Sequence, residues 1–135
     1  MKVLGVLLSL MLATGAQAQT ANEKSELSEK CGKQAAEVSE KRLKSEVPAE
    51  GHQITWGHEN HYNSRLKKCL FLEAREDVER GVRERKQLKL IEQDNREIGV
   101  YVFIYRQSTT ACSVQGKECT NEEEWRALIK PFMED

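Results

Sequence analysis

Four cysteines, Cys31, Cys69, Cys112 and Cys119, constrain this chain more than any other feature, because they follow a segment with the pattern of an export leader. Lys2 gives that segment a positive start, Val3 to Ala13 an apolar run, and Ala16-Gln17-Ala18 a small-x-small cleavage pattern. The apolar run covers about 11 residues, well short of the roughly 20 that a helix needs to cross a bilayer. Residues 1–18 are therefore expected to be removed as a signal peptide, leaving a single domain over residues 19–135. No cysteine lies near the cleavage point, which argues against a lipid anchor there. The expected location is periplasmic or secreted, with no stable membrane insertion once the leader is gone.

An even number of cysteines in an exported chain points to disulfides. Four cysteines allow three connectivities. The preferred one pairs Cys31 with Cys69 and Cys112 with Cys119. The second pair encloses Ser113 to Glu118, where Gly116 can supply a turn. The first pair would tie an N-terminal helix to a core strand. Loop entropy assigns these bridges about 4 kcal/mol for the longer loop and about 2.5 kcal/mol for the shorter. Such contributions matter here. The 135-residue chain is 39% hydrophobic, and the leader holds 12 of those residues, so the mature core is thin. A structural zinc site normally uses close ligand pairs of the C-x2-C kind, and a redox site a C-x-x-C; neither spacing occurs.

The chain carries 21 basic and 22 acidic residues. That balance argues against a protein that grips nucleic acid chiefly by charge. Ala21 to about Lys44 has helical periodicity, with Leu27, Cys31, Ala35 and Val38 on one face. Pro48 to Gly51 breaks the pattern. Ile54 to Tyr62 reads as a strand, Asn63-Ser64 as a turn, and Leu66 to Ala74 as a second strand. From Glu73 to Lys86 five acidic residues oppose five basic ones, which reads as a long exposed connection, partly helical. Gln87 to Gln93 is a third strand, and Asp94-Asn95 has turn chemistry. Ile98 to Arg106 is apolar on both faces and so is expected at the centre of a sheet. Thr120-Asn121-Glu122-Glu123 matches a capping box opening a helix with Trp125, Leu128, Ile129 and Phe132 on one face. The expected fold is α+β: an N-terminal helix, an antiparallel sheet of about four strands, a short C-terminal helix and two disulfides.

His61-Tyr62-Asn63, Lys68-Cys69-Leu70-Phe71, and the segment with Cys112, Cys119, Trp125 and Pro131-Phe132-Met133 resemble small exported bacterial proteins of unknown function. In those a Cys-bearing helix precedes an H-Y-N and K-C strand, and a C-terminal cysteine pair precedes a short helix. The resemblance implies a compartment and a layout, with no activity to carry over.

Candidate functional residues cluster in one segment. Trp56, His58, Asn60 and Tyr62 share a strand parity, giving aromatic area with polar tips, a composition enriched at binding surfaces. His61 completes the candidate surface. Core packing explains Trp56 and Tyr62 equally well. His52, His58 and His61 also suggest a metal site, but in a strand His58 and His61 point to opposite faces. No metal or cofactor is expected. Patterns such as G-x-S-x-G, the P-loop and G-x-G-x-x-G do not occur. The expected function is a non-catalytic protein-binding or inhibitor-like module whose partner is another envelope or extracellular protein. The alternatives are a small envelope hydrolase using His58 or His61 with a carboxylate, and a histidine-dependent metal-binding protein.

Overall fold

The computed structural model describes residues 20–135, apart from the side chain of Thr110. The expected leader and cleavage point, over residues 1–18, lie outside the described residues. The element order is α1 (Ala21–Ser45), β1 (His52–Asn63), β2 (Lys68–Glu79), β3 (Val82–Glu92), β4 (Glu97–Ile104), β5 (Ser108–Val114), β6 (Lys117–Glu118) and α2 (Glu122–Met133). The strands form one antiparallel meander in sequence order, with β1 at one edge. The α+β class, the two flanking helices and both disulfides agree with the sequence reading. Both preferred pairs form, with Cα–Cα distances of 5.4 Å for Cys31–Cys69 and 5.0 Å for Cys112–Cys119.

The sheet has six strands rather than about four. The added pair is β5 and β6, whose Ser, Thr, Lys and Glu content carries little apolar alternation. Pairing with β4 and closure by the Cys112–Cys119 bridge hold them in place. Gln115 and Gly116 make the turn between them, both at positive φ, as tight hairpins require.

The charged stretch from Glu73 to Lys86 is not an exposed connection. It is the β2–β3 hairpin, turned at Arg80-Gly81 with φ of 49° and 81°. Opposite charges face each other across it: Glu73 with Lys89, Glu76 with Lys86, and Asp77 with Arg85. Such cross-strand pairs stabilise a sheet by about 0.2–1 kcal/mol each. Charge that looks like solvent-facing helix along one chain is complementary ladder chemistry between two.

The helices cover opposite faces of the sheet. On one face Cys31 and Ala35 of α1 pack on Tyr62, Cys69 and Phe71, with Leu27 alongside. On the other, Trp125 and Ile129 of α2 pack on Leu70, Leu72, Leu88, Leu90, Ile98, Tyr101 and Val114. Both helices are capped. Thr20 and Glu23 form a reciprocal capping box on α1. At α2 the cap lies one residue later than the sequence pattern indicates. Asn121 Oδ1 accepts from the Glu124 amide at 2.9 Å, while Thr120 donates its amide and hydroxyl to the Glu124 carboxylate. Asn is at least as good a cap as Thr, and Glu124, not Glu123, stands three residues beyond it.

Trp125 is fully buried, and its indole N–H donates to the Ser113 carbonyl at 3.2 Å. Gly99 makes this fit possible: a Cβ there would lie 3.0 Å from Val114 Cγ2, 3.2 Å from the Ser113 carbonyl oxygen and 3.5 Å from the indole nitrogen. Replacing Gly99 with Ala is expected to cost about 1–3 kcal/mol by overpacking. Urea unfolding followed by tryptophan emission measures it, and an unchanged midpoint would contradict this packing.

Candidate functional site

The residues singled out on β1 do not form one continuous surface. Trp56, His58, Asn60 and Tyr62 lie on the α1 side of the sheet, and His61 points to the other side. Tyr62 is only 7% exposed and belongs to the core beneath α1. Asn60 sits against the disulfide, its Nδ2 at 3.9 Å from Cys31 Sγ. His58 is exposed and stands opposite Glu73 across the β1–β2 ladder. Trp56 is half-buried, with the Arg75 guanidinium carbon 5.7 Å from its ring centroid, within cation–π range.

Trp56 forms one wall of a cleft between the C-terminal end of α1 and the sheet. Arg42 and Glu46 roof it, Glu73 and Arg75 of β2 and Gln87 and Lys89 of β3 make the floor, and it encloses about 160 Å³. The sequence builds this arrangement simply. The apolar stripe of α1 ends at Val38, and the following turns present Arg42 and then Glu46, four residues apart, to the sheet. Glu73, Arg75 and Asp77 alternate on β2, so all three project from the same face.

Ion pairs span the cleft. Arg42 Nε lies 2.9 Å from Glu73 Oε1, and Arg75 reaches Glu46 at 2.8 Å and Asp77 at 3.0 Å. Lys89 pairs with Glu97 at 3.2 Å. The Glu73 side chain is 6% exposed. Its burial pushes the carboxyl above its ordinary range, and this outweighs the opposing pull of Arg42, Lys89 and His58. Four buried polar atoms on this face have no hydrogen-bond partner among the described residues: Glu73 Oε2, Arg75 Nε, Asp77 Oδ1 and Arg85 Nε. Buried polar atoms are paired in the great majority of folded structures; of these residues Glu73 and Arg75 line the cleft, while Asp77 and Arg85 stand opposite each other outside its lining.

A second polar cluster lies where the β1–β2 turn meets the end of α2. The fully buried Asn63 donates through Nδ2 to the Pro131 and Phe132 carbonyls at 3.1 Å and accepts the Leu66 amide at 2.9 Å. It thereby satisfies carbonyls that the helix end leaves unpaired. Asp135 accepts from Ser64 N at 3.1 Å and from Ser64 Oγ at 2.9 Å, lies 3.2 Å from His61 Nε2, and pairs with Lys24. Lys24 above all, and then the Ser64 amide, hold its carboxyl well below the usual carboxylate range. The order is serine, carboxylate, histidine. The hydroxyl proton is directed at Asp135 rather than at an imidazole base, which is not the order nucleophilic catalysis requires. Among the described residues no group of three or more His, Cys, Asp or Glu side chains is placed to hold a metal ion.

Of the cleft residues, sequence reasoning singles out only Trp56. The signal for the others was present in the alternating signs of Glu73, Arg75 and Asp77, matched by Lys89 and Arg85 on the next strand. Comparison with protein-family models, curated proteins and solved structures gives no match to this chain.

The raised Glu73 carboxyl sets a sign for pH dependence. A carboxyl that binds its proton more readily in the folded state adds stability as pH falls through the folded value toward the unfolded one. Wild type is therefore expected to gain stability from pH 7 to pH 5 relative to Glu73→Gln. Urea midpoints of both proteins at both pH values check it, and parallel shifts would refute it.

Proposed function

We propose that the mature protein is an exported, non-catalytic binding module that engages another envelope or extracellular protein through the cleft between α1 and the sheet. The observation that carries this reading is the cleft itself: a tryptophan wall, a mixed-charge lining and buried polar atoms without partners, set on a rigid sheet. Recognition sites commonly combine an aromatic anchor with a few placed polar groups. Export is supported by the leader pattern of residues 1–18 and by two disulfides, which persist in oxidising compartments. Among the described residues no helix is long and apolar enough to cross a membrane. The resemblance to small exported bacterial proteins points the same way. An inhibitor-like role fits this reading, with the cleft taking a protruding group of the partner.

Two measurements test the proposal. Mass spectrometry of the natively purified protein is expected to find a chain beginning at Gln19 with no free thiols; a retained leader with four reactive thiols would overturn the export assignment. A photo-crosslinking residue at position 87, in the cleft, is expected to capture a discrete partner in cells. The same residue at position 53, exposed on the opposite face of β1, is expected not to capture it. Equal capture from both positions, or undiminished capture from position 87 in a Trp56→Ala background, would remove the cleft from the reading.

A further inference from the structure

We infer that the cleft is a site for an α-carboxylate carrying a neighbouring N–H, and that Glu46 occupies part of that site as an internal stand-in for the ligand carboxylate. The inference rests on the binding reading above and gives it a ligand class.

Charge comes first. The lining holds three cations, Arg42, Arg75 and Lys89, against two anions, Glu46 and Glu73. Asp77 on Arg75 and Glu97 on Lys89 offset that excess from outside the lining, so an anion is taken in exchange for Glu46 rather than added to it. Arg75 is the natural receiver, since a guanidinium binds carboxylates through a planar fork. It already holds two carboxylates, each through a single nitrogen. Glu46 sits on Nη2 at 2.8 Å and Asp77 on Nη1 at 3.0 Å, while Nε, buried, has no acceptor. Asp77 comes from the same strand and is fixed by it. Glu46 comes from the residue that ends α1, on backbone already extended at φ −102° and ψ 113°. It is the carboxylate that can leave, and an incoming one would replace like with like. Lys89, paired with Glu97 at 3.2 Å, adds a second positive charge on the same side.

The other half of the ligand follows from Glu73. Its Oε1 is taken by Arg42, but Oε2 is buried without a donor. Glu73 and Arg75 are two residues apart on one strand face, about 7 Å along β2. A group that satisfies both is anionic at one end and donates a hydrogen bond on the Glu73 side, within the roughly 7 Å between the two positions. The end of a peptide chain and a free amino acid share that chemistry: a carboxylate next to an α-nitrogen. The enclosed volume of about 160 Å³ suits one terminal residue. It falls below the roughly 300–1,000 Å³ typical of larger small-molecule pockets. The Trp56 ring offers that residue an apolar wall.

The test is a titration of the intact, oxidised protein followed by the Trp56 indole and β2 amide signals in NMR, with folding of each variant checked by circular dichroism. Three probes are used: N-acetyl-dialanine with a free carboxylate, the same peptide amidated, and free alanine. The free acid is expected to saturate the cleft signals, with the amide at least about tenfold weaker. Glu46→Ala is expected to tighten acid binding by about tenfold, since the internal competitor is gone, and Lys89→Gln to weaken it. Tighter binding of acetyl-dialanine than of alanine identifies a chain end as the ligand; the reverse identifies a free amino acid. Equal affinity for acid and amide overturns the inference, as does unchanged affinity in Glu46→Ala. So does the absence of any saturating probe. If position 87 still captures a partner in that last case, the binding module stands and only the ligand class falls.

Discussion

The Cys31–Cys69 bridge fixes α1 over the sheet, and the site depends on where α1 lies. Beneath this 25-residue helix the buried apolar contact is small, with Cys31 and Ala35 the only buried residues it contributes. Beyond Val38 the helix meets the sheet through charges. The Arg42–Glu73 and Arg75–Glu46 pairs there are partly buried, so the cost of desolvating them offsets much of their attraction. Such pairs alone do not set the height of a helix above a charged surface. A covalent link near the middle of α1, opposite the start of β2, can. It leaves the far end of the helix overhanging the sheet, and the overhang is the roof of the cleft.

The two faces of the sheet divide the work. The α2 face is a conventional apolar core in which Trp125, Leu70, Leu88 and Leu90 are almost completely removed from water. The α1 face is apolar near the disulfide and again along β4, at Val100, Val102 and Ile104, and is polar between them along β2 and β3. A uniformly apolar second face would bury more surface and add stability. The chain instead places Glu73, Arg75, Asp77 and Arg85 there, with buried atoms left unpaired. Local departures from good packing rules concentrate at functional sites in folded proteins, and two of these residues, Glu73 and Arg75, line the cleft.

Much of the architecture was legible because its signals are local. The helix at Ala21–Ser45 follows from a 3.6-residue stripe, the β4 strand from alternating large apolar residues, and the cysteine pairing from loop length and one glycine. The hairpin of β2 and β3 was not, because its outer half is almost entirely charged and a single-chain view equates charge with solvent. Only the register shows that the charges answer one another. For the same reason the candidate site was half visible. Trp56 stands out as an aromatic among polar residues, but the burial of Glu73 depends on Arg42 and Glu46 overhanging from a helix some thirty residues away in sequence. Tyr62 went the other way: its parity matched Trp56, yet the bridge draws α1 directly over it.

The molecule has two tryptophans, one on each side of the sheet. Trp125 lies in a dry environment against Gly99 and Ser113, while Trp56 lies beside a guanidinium at the margin of water. Their emission differs accordingly, the first sensing the integrity of the core and the second the state of the overhang. Nature has thus supplied the chain with two separate optical reporters, so loosening of the roof and collapse of the fold can be followed as distinct events without any added label.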